Sequence, residues 1–241
     1  MTDYKEAPLM LGKMVKVDTG SFVSVGPNLD RGMIYGKPII EFFYNKAKEI
    51  AEPVIFDIGA SVGSFSMLSK FLDKSKIYAF EPQIKIFELL KSNICLNELN
   101  DVFVFNMALS NIAGRAKMSI PTRADFSGLG TLSLKPLRFS DGNILDIDCD
   151  TLDNFCDRNQ IKKIDMIKID TEGSEYRVLL GGIETIKKFK PSILMEFNHE
   201  NMSQCGVSSN QITKLLEELN YKYEVCNVGE EDIFCEYKQK S

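Results

Sequence analysis

Five short apolar runs alternate with stretches of helical periodicity along this chain, and that alternation restricts the fold more than any other feature. Residues 54–57 (VIFD), 76–81 (KIYAFE), 101–107 (DVFVFNM), 163–170 (KIDMIKID) and 192–197 (SILMEF) have the length and near-continuous hydrophobicity of strands buried on both faces. Between and around them lie helical stripes. Ile39, Phe43, Ala47 and Ile50 form one within 38–51, and residues 64–72 are expected to be helical. Ile84, Phe87, Leu90 and Ile94 form another within 83–99; Leu179, Ile183 and Ile186 mark a further helix, as do Ile212, Leu215, Leu216 and Leu219. Strands alternating with helices make βαβ units and a mostly parallel sheet. Two last strands, 221–226 and 232–237, are joined by a short polar loop around Gly229, too short for a helical crossover, so they pair antiparallel.

The expectation is an α/β three-layer sandwich over residues 53–241, Rossmann-like, with a mostly parallel seven-stranded sheet and an antiparallel C-terminal edge hairpin. Residues 1–52 are expected to form an extension packed on that core: a hairpin at 13–25 turning at Thr19-Gly20, then the helix at 38–51. Residues 109–150, with Pro121 and Pro136, are expected to be an irregular insertion of short strands and a mobile loop. Within it, 122–133 carries Arg123, Phe126, Ser127, Gly128 and Gly130 and is a candidate lid.

Composition narrows the function. The chain has 241 residues, one domain's worth, with 44% hydrophobic and 26% charged residues and a net charge of −5. No broad basic face is implied, so sequence-independent nucleic-acid binding is disfavoured. Six cysteines form no C-x-x-C pair, and His199 is the single histidine, so no structural zinc site is expected. Reduced thiols, a charged start without a signal-like apolar stretch, and no apolar run of roughly 18 residues fit a cytoplasmic protein without a membrane span.

In open α/β sheets, ligands bind at the carboxyl ends of the strands, where the strand order reverses. The first such end is Asp57-Ile58-Gly59-Ala60-Ser61-Val62-Gly63, a glycine turn preceded by an acid. It is a tight strand-to-helix turn in its own right; its glycines also let backbone approach a ligand closely. Asp57 can fix the loop or reach the ligand. The second end is Glu81, 18 positions after Gly63, where an ionised carboxylate suits the two hydroxyls of a ribose. Pro82 fits the first turn of the next helix. The loop lacks the third glycine of a dinucleotide fingerprint, and there is no phosphate-loop motif. A ligand without phosphate and with a cationic centre fits better, and S-adenosylmethionine is one.

The runs VIFDIGASVGSFS (54–66), YAFEPQ (78–83), LKSNICLNEL (90–99), NMALSNIAG (106–114), DTLDNF (150–155), MIKIDTEGSEYRVLLGG (166–182) and KPSILMEF (190–197) resemble the FkbM-type S-adenosylmethionine-dependent methyltransferases. The resemblance covers roughly residues 53–200 and implies the class I methyltransferase fold. It places Asp57, Gly59, Ala60, Ser61 and Gly63 by the methionine part of the cofactor and Glu81 by its ribose. It places Met107 and Ala108 in the adenine pocket, with Asn106 as a polar contact. Ser61 departs from the asparagine common in that loop. The implied acceptor is a hydroxyl on a small molecule or saccharide, with S-adenosylhomocysteine as product.

The fourth strand ends in Asp170-Thr171-Glu172-Gly173 and the fifth in Glu196-Phe197-Asn198-His199-Glu200. Asp170 or Glu172 can cap a helix, contact the cofactor or accept a proton; Lys168 should share a strand face with Asp170 and pair with it. The two strands are expected to be neighbours, so that Asp170 and Glu196 converge. His199, in a loop there, has a pKa suited to proton transfer near neutrality. Asp170, Glu172, Glu196 and His199 are therefore the catalytic candidates. Asp170, Glu196 and His199 could hold a hard divalent cation, a possibility not favoured over a metal-free site. Methylation of nucleic acid or protein is the rival enzyme reading, but the Asn/Asp-Pro-Pro-aromatic run common in adenine- and glutamine-directed enzymes is absent after strand four. An inactive cofactor-binding module and a nicotinamide-dependent oxidoreductase are two more functions that a fold of this class could serve.

Overall fold

The computed structural model describes residues 3–10, 12–18, 37–121, 132, 142–226 and 232–239. The elements, in chain order, are β1 (Tyr4–Met10), β2 (Lys13–Asp18), α1 (Lys37–Ala47), β3 (Val54–Ile58), a 3-10 helix (Ser66–Phe71), β4 (Lys76–Phe80), α2 (Ile84–Leu96) and β5 (Val102–Phe105). Then come β6 (Ala108–Leu109), β7 (Gly114–Pro121), β8 (Gly142–Asp150), α3 (Leu152–Arg158) and β9 (Met166–Ile169). The chain ends with α4 (Glu175–Leu180), α5 (Ile183–Phe189), β10 (Ser192–Glu196), α6 (His199–Gln204), α7 (Ser209–Glu218), β11 (Tyr221–Cys226) and β12 (Asp232–Tyr237).

Seven strands form the central sheet in the order β11-β12-β10-β9-β3-β4-β5. β3, β4, β5, β9 and β10 run parallel; β12 lies antiparallel between β10 and β11. The C-terminal hairpin thus closes the sheet by insertion: its second strand takes the inner place and β11 becomes the edge. Alternation along the strands sorts side chains into two core layers. Ile55, Ile77, Ala79, Met166 and Leu194 face one layer, with α1, α2 and the 3-10 helix. Phe56, Ile58, Phe80, Ile167, Ile169, Ile193 and Met195 face the other, with α3, α4, α5 and α7. The same period puts Asp57 and Lys168 on the first face, and they are direct partners across β3 and β9.

The amino-terminal hairpin belongs to the first layer. β1 and β2 pair antiparallel, and Ala7, Leu9, Val15 and Val17 are buried with Phe43 of α1. Two asparagines of the α2 region stitch the hairpin down. Asn97 bonds both backbone groups of Lys16, accepting from its N–H at 2.9 Å and donating to its carbonyl at 2.7 Å. Asn93 accepts from the Asp18 N–H at 2.7 Å and donates to the Val62 carbonyl at 2.8 Å. The described partner of β2 is therefore β1; the expected turn at Thr19-Gly20 and the strand beyond it fall outside the described residues.

Two local expectations need correction, and two others are sharpened. The helical stretch expected over 64–72 is a 3-10 helix at residues 66–71; its start is held by Ser66 Oγ donating to Asp57 Oδ2 at 2.6 Å. The helix expected through 179–186 is two helices, because the chain breaks at Gly181-Gly182. A Cβ at Gly181 would overlap the Ser110 carbonyl, so close backbone approach excludes any side chain there. The strands expected within the insertion are present where it is described, and they pair regularly. β7 and β8 pair antiparallel in continuous register from Gly114↔Cys149 to Pro121↔Gly142, and β6 joins β8 to complete a three-stranded sheet. The candidate lid at 122–133 lies outside the described residues, apart from Leu132. Finally, His199 is not in a loop: it opens α6.

Candidate active site

From β3 the chain winds outward through β4 to β5, then returns to the other side of β3 to lay down β9 and β10. The strand order therefore reverses between β3 and β9, and sheets of this kind take their ligand in a crevice at the carboxyl ends there. Asp57 and Lys168 stand side by side just below it. Asp57 is fully buried; it accepts from Ser66 Oγ, and Lys168 Nζ lies 3.6 Å from its Oδ1. The same ammonium donates to the Gly59 carbonyl at 2.7 Å, lies 3.4 Å from Asp170 Oδ2 and sits 5.3 Å from the Phe65 ring centroid. Burial alone would lower its pKa, but Asp170 and Asp57 more than offset this and hold it above the ordinary lysine value. Of the two roles open to Asp57, this placement performs loop fixing.

The loop after β3 is shaped by contacts that only small residues permit. Gly59 has φ +77, and a Cβ there would overlap the Asp170 carbonyl, so the ends of β3 and β9 meet backbone to backbone. Gly59 and Ala60 donate to the Phe80 carbonyl at 3.0 and 2.9 Å, which ties the loop to β4 as well. Ser61 sits at φ +51 without being glycine. Its N–H donates to Glu81 Oε2 at 3.0 Å, while the Gln83 N–H donates to Glu81 Oε1 at 2.8 Å. Glu81 is 5% exposed, and burial pushes its pKa up to about 7; the two amides and Lys168 offset only part of that. Two of its roughly four acceptor sites are filled by backbone, which leaves acceptor capacity for the hydroxyls of a sugar.

On the other side of β3, acids gather at the ends of β9 and β10. Carboxylate oxygens of Asp170, Glu172 and Glu196 all lie within 4.8 Å of one another. Asp170 is the exposed member and leans on Lys168. Glu172, at φ +52, accepts from Asn201 Nδ2 at 2.8 Å. The pKa of Glu196 is pushed up to about 10, first by burial and then by the charges of Asp170, Glu172 and Glu175; the Asn201 amide relieves a little of this. Beneath the cluster, buried Glu175 clamps the turn. It accepts from Thr171 N–H (2.8 Å), Thr171 Oγ1 (3.0 Å) and Gly173 N–H (3.1 Å), and burial raises its pKa to about 7.

The structure thus brings Asp57, Gly59, Ala60, Ser61, Gly63 and Glu81 to one side of the crevice and Asp170, Glu172 and Glu196 to the other. Asn106 holds the far end of β4, donating to the carbonyls of Glu81 and Pro82 at 2.8 and 3.0 Å. Met107 packs half-buried against the second core layer, and Ala108 is buried in β6. His199 is exposed, its ring edge-to-face with Phe197 at 5.4 Å. Among the described residues the converging trio is Asp170, Glu172 and Glu196, which brings Asp170 and Glu196 together as expected and adds Glu172, with His199 outside it. A helix start is the reason: Asn198 caps α6 by accepting from the Asn201 N–H at 2.9 Å, which turns Asn201 inward, where it is fully buried. Sequence reading misses Asn201 and Glu175. Glu175 lies inside the KIDTEGSE run; nothing in the local pattern singles out Asn201.

No helix of the described residues is long and apolar enough to cross a membrane. None of the six cysteines is disulfide-bonded among the described residues. Methyltransferase sdnD of Sordaria araneosa is 25% identical over 195 residues, spanning 70% of this chain and 75% of its own. The 2-O-methyltransferase NoeI of Sinorhizobium fredii is 28% identical over 184 residues, 70% of this chain and 72% of its own. The hexuronic acid methyltransferase AglP of Haloferax volcanii is 22% identical over 196 residues, 81% of this chain and 74% of its own. Among solved structures, methyltransferase FkbM from Methylobacillus flagellatus superposes with a TM-score of 0.50 at 17% identity, over 78% of this chain and 44% of that one. Precorrin-6y C5,15-methyltransferase from Geobacter metallireducens gives 0.51 at 12% identity, over 86% and 90%. These likenesses show the class I methyltransferase fold. The family defined by the methyltransferase FkbM domain matches residues 57–223, and this chain belongs to it.

Proposed function

We propose that the chain transfers a methyl group from S-adenosylmethionine to a hydroxyl oxygen of a small molecule or saccharide. The observation that carries this is Glu81: a buried acid at the end of β4, bonded to the backbone of the glycine loop and holding unused acceptor sites at the reversal of strand order. The crevice residues fit the cofactor. The sequence holds no phosphate-loop motif, and acids stand on both sides for a cationic ligand. The choice of a hydroxyl acceptor draws support from the 2-O-methyltransferase and the hexuronic acid methyltransferase among the relatives.

S-adenosylmethionine supplies the methyl as an electrophilic carbon on a sulfonium. The chain's own task is to hold the acceptor oxygen in line with that carbon and to take the proton the oxygen loses. Lys168 keeps the ends of β3 and β9 in register by bonding the Gly59 carbonyl between two acids. For the proton, His199, Asp170 and Glu172 are the available acceptors at this edge; Glu196, pushed up to about 10, already holds its own proton near neutrality. Calorimetry with S-adenosylhomocysteine, with NAD in a parallel arm, tests the cofactor; incubating glycan and metabolite mixtures with methyl-labelled cofactor tests the transfer. Binding of NAD but not S-adenosylhomocysteine would refute the cofactor assignment. Label appearing only in nucleic acid or protein would refute the acceptor class. A His199→Ala chain that turns over normally would remove that residue as base.

A further inference from the structure

We propose that β11 pairs with β11 of a second copy of this chain, so that one sheet continues through a two-fold homodimer. β11 is an edge of the seven-stranded sheet, and its partner among the described residues, β12, lies on one side only. An edge strand carries a row of backbone groups with no ladder to join. Which groups these are follows from the hairpin. The Lys238 N–H donates to the Asn220 carbonyl at 2.9 Å, in register with Tyr221↔Tyr237. Backbone bonding alternates along an antiparallel strand, so Lys222, Glu224 and Cys226 direct their backbone groups at β12 as Asn220 does. Tyr221, Tyr223 and Val225 direct theirs outward. Side chains are uncovered there as well. Tyr223 is 43% and Val225 59% exposed, although their partners across the hairpin, Cys235 and Ile233, lie in the second core layer.

Charge selects both the occupant and the register. Directly opposed residues of an antiparallel pair share a face, so a two-fold axis normal to the sheet passes at the level of a residue. Registers that overlap most of the strand are centred on Lys222, Tyr223 or Glu224. Centred on Lys222 or Glu224, the axis sets like charges against each other, which is destabilising. Centred on Tyr223, it sets Lys222 opposite the partner's Glu224 and Glu224 opposite the partner's Lys222. That register also matches Tyr221 with the partner's Val225 and Tyr223 with its own counterpart, the residues whose backbone groups point outward. Lys222 lies 3.2 Å from Glu236 on its own hairpin, so the partner's Glu224 extends a cross-strand row of alternating charge. Charges on an edge ordinarily keep other strands away; the order Lys-Tyr-Glu admits a second copy in one register and repels it in the neighbouring two. The opposite edge, β5, is Val-Phe-Val-Phe and has no charge to choose a register. Strand order keeps β11 apart from β3 and β9, so the pairing does not rest on the proposed methyl transfer.

Sedimentation equilibrium of the full chain tests it. From about 1 to about 500 µM, the range of transient interfaces of small area, the chain should show a reversible monomer–dimer equilibrium. Lys222→Glu and Glu224→Lys each create like-charge pairs on both sides of the axis and should weaken association at least about tenfold. Mixed in equal amounts, the two variants restore opposite charges at both places and should associate as tightly as the parent, which a misfolded variant could not do. A chain that stays monomeric over the whole range would overturn the proposal. So would a dimer indifferent to both substitutions, or losses in the single variants that the mixture does not recover.

Discussion

Glu81 offers the sharpest quantitative test of the crevice. Its carboxyl is driven from an ordinary 4.5 up to about 7, chiefly by burial. Between those two pH values the folded chain holds this proton more tightly than the unfolded chain, so stability falls as pH rises through the window and levels off above it. The rise to about 7 corresponds to about 3 kcal/mol in total. Glu81→Gln removes this titration. It also leaves one of the Ser61 and Gln83 amides without its acceptor, at a cost of about 1–3 kcal/mol, so absolute stability is a poor readout and the pH slope is a good one. Urea unfolding at about pH 5 and about pH 8 should show the parent losing about 2 kcal/mol more than the variant across the interval. Some slope should persist in the variant because Glu175, also raised to about 7, titrates in the same window and direction. If the carboxylate receives sugar hydroxyls in its ionised form, affinity for S-adenosylhomocysteine should climb with pH through about 7 in the parent and stay flat in the variant. Parallel stability curves for the two proteins would refute the assigned burial cost.

Gly59→Ala must push a Cβ against the Asp170 carbonyl at a positive φ; thermal or urea unfolding should show a loss of at least about 3 kcal/mol, and a near-normal Tm would contradict the packing. Ser61→Asn should raise stability by about 0.5–1 kcal/mol, because asparagine tolerates φ +51 better than serine, and a lowered Tm would count against a strained loop. Lys168→Met leaves Asp57 buried without its cation and should cost about 3–5 kcal/mol. Adding Asp57→Asn should recover part of that in a double-mutant cycle; strict additivity would show that the pair does not interact.

The central sheet is legible because parallel strands buried on both faces read as apolar runs, and VIFD, KIYAF and SILME stand out for that reason. Asp57, Gly59 and Glu81 follow from the sheet, since strand ends are where such folds place ligands. What escapes sequence reading is set by tertiary contact. The break at Gly181-Gly182 depends on a carbonyl 71 positions away at Ser110, and the helical stripe of Leu179, Ile183 and Ile186 continues across it unchanged. His199 looks like the chemistry-bearing residue of its segment, yet the turn of α6 carries Asn201 inward instead, because the Asn198 cap sets the helix phase. Ser61 shows the same limit: its identity suggests a hydrogen bond, whereas its backbone angle is what constrains the position.

A single buried amide, Asn93, grips the Val62 carbonyl with one hand and the Asp18 N–H with the other. Whatever stiffens or loosens the turn after β3 must therefore be felt in the chain's first eighteen residues, well outside the segment that defines the family. Exchange of the Asp18 amide with solvent becomes a remote gauge of crevice occupancy, and trimming the leading hairpin would slacken the loop at the far end of that bridge.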